Sequence, residues 1–116
     1  MNYCWLFHPN YIHFNKRSPE SALQELELLA KAINLKVVFS AIVRISSIKA
    51  SSFFGTGKVL EIANNLKLEN VKDCVIVIND RLTPIQQRNL EKKWNVKVLD
   101  RTALILEIFG SRAVTK

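Results

Sequence analysis

Apolar and polar residues alternate with two different periods along this 116-residue chain, and each change of period marks an element boundary. "CWLFH" (residues 4–8) is a short apolar run and predicts a strand. Ser18-Pro19-Glu20 supplies a capping hydroxyl, a proline at the first helical position and an acid facing the helix dipole. Leu23, Leu26, Ala30 and Ile33 then mark one face of an amphipathic helix, with Asn34 as its stop. "KVVFSAIVRI" (36–45) is rich in β-branched residues and predicts a long strand, followed by a loop over 46–55. A second helix starts near Thr56 or Gly57, with Val59, Ile62, Ala63 and Leu66 at helical spacing. "CVIVI" (74–78) has the unbroken apolarity of a strand covered on both faces. Thr83-Pro84-Ile85-Gln86 spells a capping box for a third helix running to about Trp94. "VKVL" (96–99) predicts a short fourth strand, and Asp100-Arg101-Thr102 opens a last helix with Leu104, Ile105, Ile108 and Phe109 on one face.

The order β-α-β-α-β-α-β-α predicts an α/β fold: a small, open, mainly parallel four-stranded sheet with helices on both faces and right-handed crossovers. Residues 1–100 are expected to form the α/β domain, with 101–116 starting a helical connector. Ligands of such sheets gather at the carboxyl ends of the strands. The tips there are His8-Pro9-Asn10, the loop after Ile45, Asn79-Asp80-Arg81 and Asp100-Arg101.

Composition narrows the classes. The length suits one domain, and no apolar run approaches the roughly 18 residues of a membrane span. The amino-terminal stretch lacks the basic lead and small-residue cleavage site of a signal peptide. Cys4 and Cys74 both lie in apolar runs, which suits a reducing cytoplasm better than a disulfide scaffold. The formal net charge of +7 is unevenly spread: Arg81, Arg88, Lys92, Lys93, Lys97 and Arg101 crowd one stretch, while Glu20, Glu25 and Glu27 occupy another. That asymmetry favours a nucleic-acid partner.

"FFGTGKV" (53–59) resembles a phosphate loop only superficially. The strict pattern is Gly, four residues, then Gly-Lys and a hydroxyl residue. Here Ser52 holds the first glycine position and Val59 the magnesium-binding position, so nucleotide binding is not expected. A phosphoacceptor receiver domain would use Asp80 beyond the third strand, but Pro9 and Asn10 stand where its acidic pair should be. Cys4, His8, His13 and Cys74 are the soft metal ligands, without paired spacing, and no metal is expected. Nor does either histidine have a serine elbow beside it, so no catalytic residue is assigned. Two readings of the glycine–lysine turn remain open. Either Gly55 and Gly57 ease a sharp turn and Lys58 is solvated, or Lys58, backed by Lys49 and flanked by Phe53 and Phe54, meets a phosphate backbone or a base. Asn89 falls at the edge of the buried stripe of its helix, where a hydrogen bond to a loop is expected. Arg88 is a candidate ion-pair partner of Asp100.

"GTGKVLEIANNLK" and "LTPIQQRNLEKKWNVKVLDRTALILEIFGSRAVTK" closely resemble the N-terminal domain of the HflX family of translational GTPases. The matching positions include Gly55, Gly57, Lys58, Gln87, Arg88, Asn89, Glu91, Asp100, Arg101 and Thr102, and residues 53–113 carry nearly all of the specificity. The resemblance implies binding to the large ribosomal subunit, with this domain reaching ribosomal RNA near the peptidyl-transferase region. It also implies that GTP and Mg²⁺ belong to a G domain absent from these residues, so this chain alone is not expected to be an enzyme or to hold a cofactor. Candidate rRNA contacts are Lys49, Phe53, Phe54, Lys58, Arg81, Arg88 and Arg101. DNA is not expected as a partner, and no membrane span is expected. Against the family pattern, valine stands at 114 where arginine is usual, and the first strand is unusually aromatic. The alternative is a non-catalytic interaction or remnant module that self-associates through the apolar face of its last helix.

Overall fold

The sheet is built outward from β1 (Tyr3–Tyr11), which pairs in parallel with β2 (Lys36–Ile45) on one side and β3 (Cys74–Ile78) on the other. A fourth strand, β4 (Lys97–Asp100), pairs in parallel with β3 and completes the order β2-β1-β3-β4. This computed structural model describes residues 3–11, 18–69 and 73–113. His13 and Val114, weighed above, lie outside the described residues. The first strand is longer than its apolar run predicts and carries Pro9 within it.

Four helices connect and follow the strands: α1 (Pro19–Lys31), α2 (Thr56–Glu69), α3 (Pro84–Trp94) and α4 (Arg101–Ala113). Their starts obey the sequence signals. The Ser18 hydroxyl accepts from the Ser21 N–H at 2.9 Å, and Thr83 and Gln86 exchange both bonds of a capping box. Asn34 and Asn95 end α1 and α3 in left-handed conformations (φ 63° and 55°), which asparagine tolerates.

Alternation along β1 and β3 divides the interior into two cores. Trp5, Phe7, Ile76 and Ile78 face α2 and α3, packing with Phe53, Phe54, Ile62, Leu90 and Trp94. Cys4, Leu6, Val75 and Val77 face the other way, toward Leu26 and Ala30 of α1 and Leu104 of α4. The two thiols therefore lie on opposite faces of the sheet. Burial, reinforced by the Cys74 thiol, raises Cys4 from 9.0 to about 12. Burial and the Asp73 carboxylate raise Cys74 to about 11. Leu104 is fully buried, so it is no part of an uncovered stripe on α4; Ile105 and Ile108 are half-buried, and Phe109 is exposed.

The two rims of the sheet are treated differently. At β4, the Gln87 amide donates to the Val98 carbonyl at 2.9 Å and the Glu91 carboxylate accepts from the Val98 N–H at 2.9 Å. Two side chains one helical turn apart on α3 thus take the place of a fifth strand. At β2 no such cover is present among the described residues.

Candidate nucleic-acid interface

The strand ends converge at the point where the chain leaves β1 toward β2 and β3 toward β4. There Asn79 donates to the ring Nδ1 of His8 at 3.0 Å, while its oxygen accepts from the Arg101 guanidinium at 3.0 Å. Arginine can only donate, so the Asn79 oxygen must face it, and His8 Nδ1 is then an acceptor. Arg101 also pairs with Glu25 of α1 at 3.1 Å. The Tyr11 hydroxyl bonds the Asp80 carboxylate, and burial first, then that bond and that charge, push Tyr11 well above the ordinary phenol range. Asp100 bridges two segments, accepting from Leu82 N–H at 3.0 Å and from Ala103 N–H at 2.8 Å. Asp100 thus caps α4, the helix start that Asp100-Arg101-Thr102 predicts, and among the described residues it forms no ion pair with Arg88.

On the α2–α3 side the loop over 46–55 folds back against α3. Lys49 and Phe53 exchange two backbone hydrogen bonds, of 3.0 and 2.9 Å. Gln86 donates to the Lys49 carbonyl at 2.8 Å and Asn89 to the Ser51 carbonyl at 2.9 Å, the helix-to-loop bond expected of Asn89. The tight turn is made by Phe53, whose φ of 64° is rare for a bulky residue. Neither Gly55 nor Gly57 has positive φ, and a Cβ on either would meet nothing within 4 Å. The glycines do not make the turn, contrary to the simpler of the two readings.

The seven candidate contacts separate accordingly. Phe53 and Phe54 are 1% and 0% exposed, packed edge to face at 5.0 Å, with Phe54 also against Trp94. Their expected role as stacking platforms fails, because their rings are spent on the core. Arg101 is tied into the Asn79–Glu25 network. Lys49, Arg81 and Arg88 are exposed, and Lys58 is half-buried with an i,i+3 pair to Glu61 at 3.2 Å. They sit on separate segments: Lys49 in the loop that Gln86 and Asn89 hold to α3, Lys58 in the first turn of α2, Arg81 just after β3 and Arg88 on α3. Between that loop and the helices lies a cleft of about 220 Å³ carrying Ser51, Ser52, Thr56, Asn89 and Lys93. The side-chain roles of Gln87, Asn79 and Glu25 were not anticipated; only the i,i+4 spacing of Gln87 and Glu91 hinted at a shared target.

Comparison with known proteins decides the family. Residues 20–110 match the family described as GTP-binding GTPase N-terminal. The chain belongs to the HflX family, as an N-terminal domain. It is 45% identical over 94 residues to GTPase HflX of Magnetococcus marinus, covering 81% of this chain and 21% of that one. It is 43% identical over 96 residues to GTPase HflX of Chlamydia pneumoniae, covering 83% and 20%. The HflX domain thus spans about a fifth of the length of these curated relatives. A GTP-binding protein of Sulfolobus solfataricus, solved in complex with GDP, superposes on all of this chain and 32% of its own with a TM-score of 0.71. At 23% identity that likeness shows the fold alone. Among the described residues no helix is long and apolar enough to cross a membrane.

Proposed function

We propose that this HflX N-terminal domain binds large-subunit ribosomal RNA through Lys49, Lys58, Arg81 and Arg88, and that it performs no catalysis itself. The observation that carries the reading is how the neighbouring acids are used. Asp80 accepts from Tyr11 and the Arg81 N–H, Asp100 caps α4, and Glu91 holds Val98. The carboxylates are bound to the fold, which leaves the guanidinium groups of Arg81 and Arg88 facing solvent. The open glycines and the acid-free first turn of α2 let a phosphate backbone approach closely. Contact here is with phosphates rather than stacked bases, since both phenylalanines are buried. GTP hydrolysis is assigned to the part of an HflX-length protein outside this domain, because these residues contain no complete phosphate-loop pattern.

Co-sedimentation with purified large ribosomal subunits at low and moderate salt tests this. Binding should weaken steeply with salt, and Lys58→Ala or Arg88→Ala should each shallow the log–log slope by about one unit. No binding at low salt would refute it. A second reading, a protein-interaction module, is favoured by one observation: Leu106 and Phe109 on α4 are each 64% exposed. Sedimentation equilibrium distinguishes it, since self-association there disappears in Phe109→Lys.

A further inference from the structure

The β2 rim keeps apolar surface open even though the Phe39 ring packs against Trp5 and Phe7 at 5.3 and 5.9 Å. Its ten residues form one margin of the sheet, and the pairing with β1 slips between Cys4 and Trp5, so Val38 stands out as the extra residue. Val38 and its neighbour Phe39 are 52% and 43% exposed, unusual for two successive apolar residues on a strand. A groove flanks this stretch on each face of the sheet. On the α1 face a groove of about 480 Å³ is lined by Glu27, Lys31 and Lys36. On the α2 face a groove of about 360 Å³ is lined by Trp5, Phe39 and Leu68. Leu68 is 82% exposed. The Trp5 indole Nε1–H is buried and has no hydrogen-bond acceptor among the described residues. A buried donor without an acceptor is rare and calls for an explanation.

We propose that the β2 edge docks an extended segment of a partner polypeptide whose side chains alternate between apolar and acidic. Such a segment adds to a sheet through main-chain hydrogen bonds, and successive side chains drop to opposite faces. Its apolar residues enter the Trp5–Phe39–Leu68 groove. Its acids meet the ammonium groups of Lys31 and Lys36 on the other face; the one acid there, Glu27, already accepts from Ser40 at 3.1 Å. Charge argues against a second copy as the occupant. β2 carries Lys36 and Arg44 and no acid, and each chain is formally +7. The contrast with β4 sharpens the case: Gln87 and Glu91 cover that rim, and among the described residues nothing covers this one.

The probe is a fluorescein-labelled octapeptide, Thr-Asp-Leu-Asp-Leu-Asp-Leu-Thr, titrated with the chain by anisotropy. A peptide of the same composition with its aspartates and leucines in separate blocks is the control. Saturable binding of the alternating peptide alone is expected, weakened about tenfold by Leu68→Lys and by Phe39→Lys. In ¹⁵N-labelled protein the chain's two tryptophans give two indole signals, assigned through Trp5→Phe. The Trp5 signal should move on titration, while that of Trp94, bonded to the Val59 carbonyl at 2.9 Å, should stay. The proposal is overturned by no binding up to about 1 mM, by equal binding of the block peptide, or by an unmoved Trp5 signal. A concentration-dependent dimer that the peptide does not dissociate would assign the edge to a second copy instead.

Discussion

Replacing Glu91 with alanine should unfasten the β4 rim. Val98 is fully buried, so water cannot restore its N–H and C=O at full strength once α3 lets go. The Glu91 bond at 2.9 Å is charge-assisted, a class with a net contribution of about 1.5–3 kcal/mol; the Gln87 bond at 2.9 Å is neutral, at about 0.5–1.5 kcal/mol. Glu91→Ala should therefore cost about 2 kcal/mol and Gln87→Ala about 1 kcal/mol. Because both act on one residue of the strand, the double variant should depart from additivity by about 0.5 kcal/mol or more. Glu91→Gln keeps an acceptor within reach and should recover about half of the loss. Urea titration followed by tryptophan fluorescence and far-ultraviolet dichroism measures this, with an unchanged denaturant slope as the check that compactness is preserved. A Glu91→Ala cost below about 0.5 kcal/mol, ordinary for an exposed surface site, would refute the clamp.

Other perturbations test other parts of the molecule. Phe54→Leu should lower stability by about 1–3 kcal/mol through lost aromatic packing, and leave large-subunit affinity unchanged under conditions where the domain is folded; a selective loss of affinity would return the ring to an RNA role. Gly57→Ala should stabilise α2 by up to about 0.5–1 kcal/mol, since the added methyl meets nothing, yet weaken co-sedimentation with the subunit; equal binding would remove the close-approach argument. Both thiols have folded values raised above 9.0, so their contribution to stability is complete below pH 9 and is lost as pH climbs toward 11 to 12. Denaturation midpoints should accordingly fall between pH 8 and 10, by on the order of 1 kcal/mol per thiol, and a Cys4→Ala, Cys74→Ala double variant should flatten that decline.

Local signals in the chain predicted the elements closely. Ser18-Pro19, Thr83-Pro84-Ile85-Gln86 and Asp100 each place a helix start, because capping is decided within four residues. The apolar run 74–78 announced a strand covered on both sides, and all five of its residues are buried. The order of strands was not legible, since it depends on how far each crossover carries the chain. The site was legible as charge but not as accessibility. Phe53 and Phe54 sit in a loop between a strand and a helix, where exposed aromatics are a fair expectation. Their burial follows from the left-handed turn at Phe53 and from the bonds that Gln86 and Asn89 donate to the Lys49 and Ser51 carbonyls, 37 and 38 positions away. No local pattern contains that information.

The same two bonds have a kinetic consequence. Loops that recognise partners commonly lose conformational entropy on binding, a cost of about 1–2 kcal/mol for each backbone residue ordered. In this domain the 46–55 loop is cross-braced by Gln86, Asn89 and the Lys49–Phe53 pair while the chain folds. Whatever meets Lys49 therefore encounters a surface already in shape, and encounters are limited by diffusion and charge rather than by waiting for the loop to find its form.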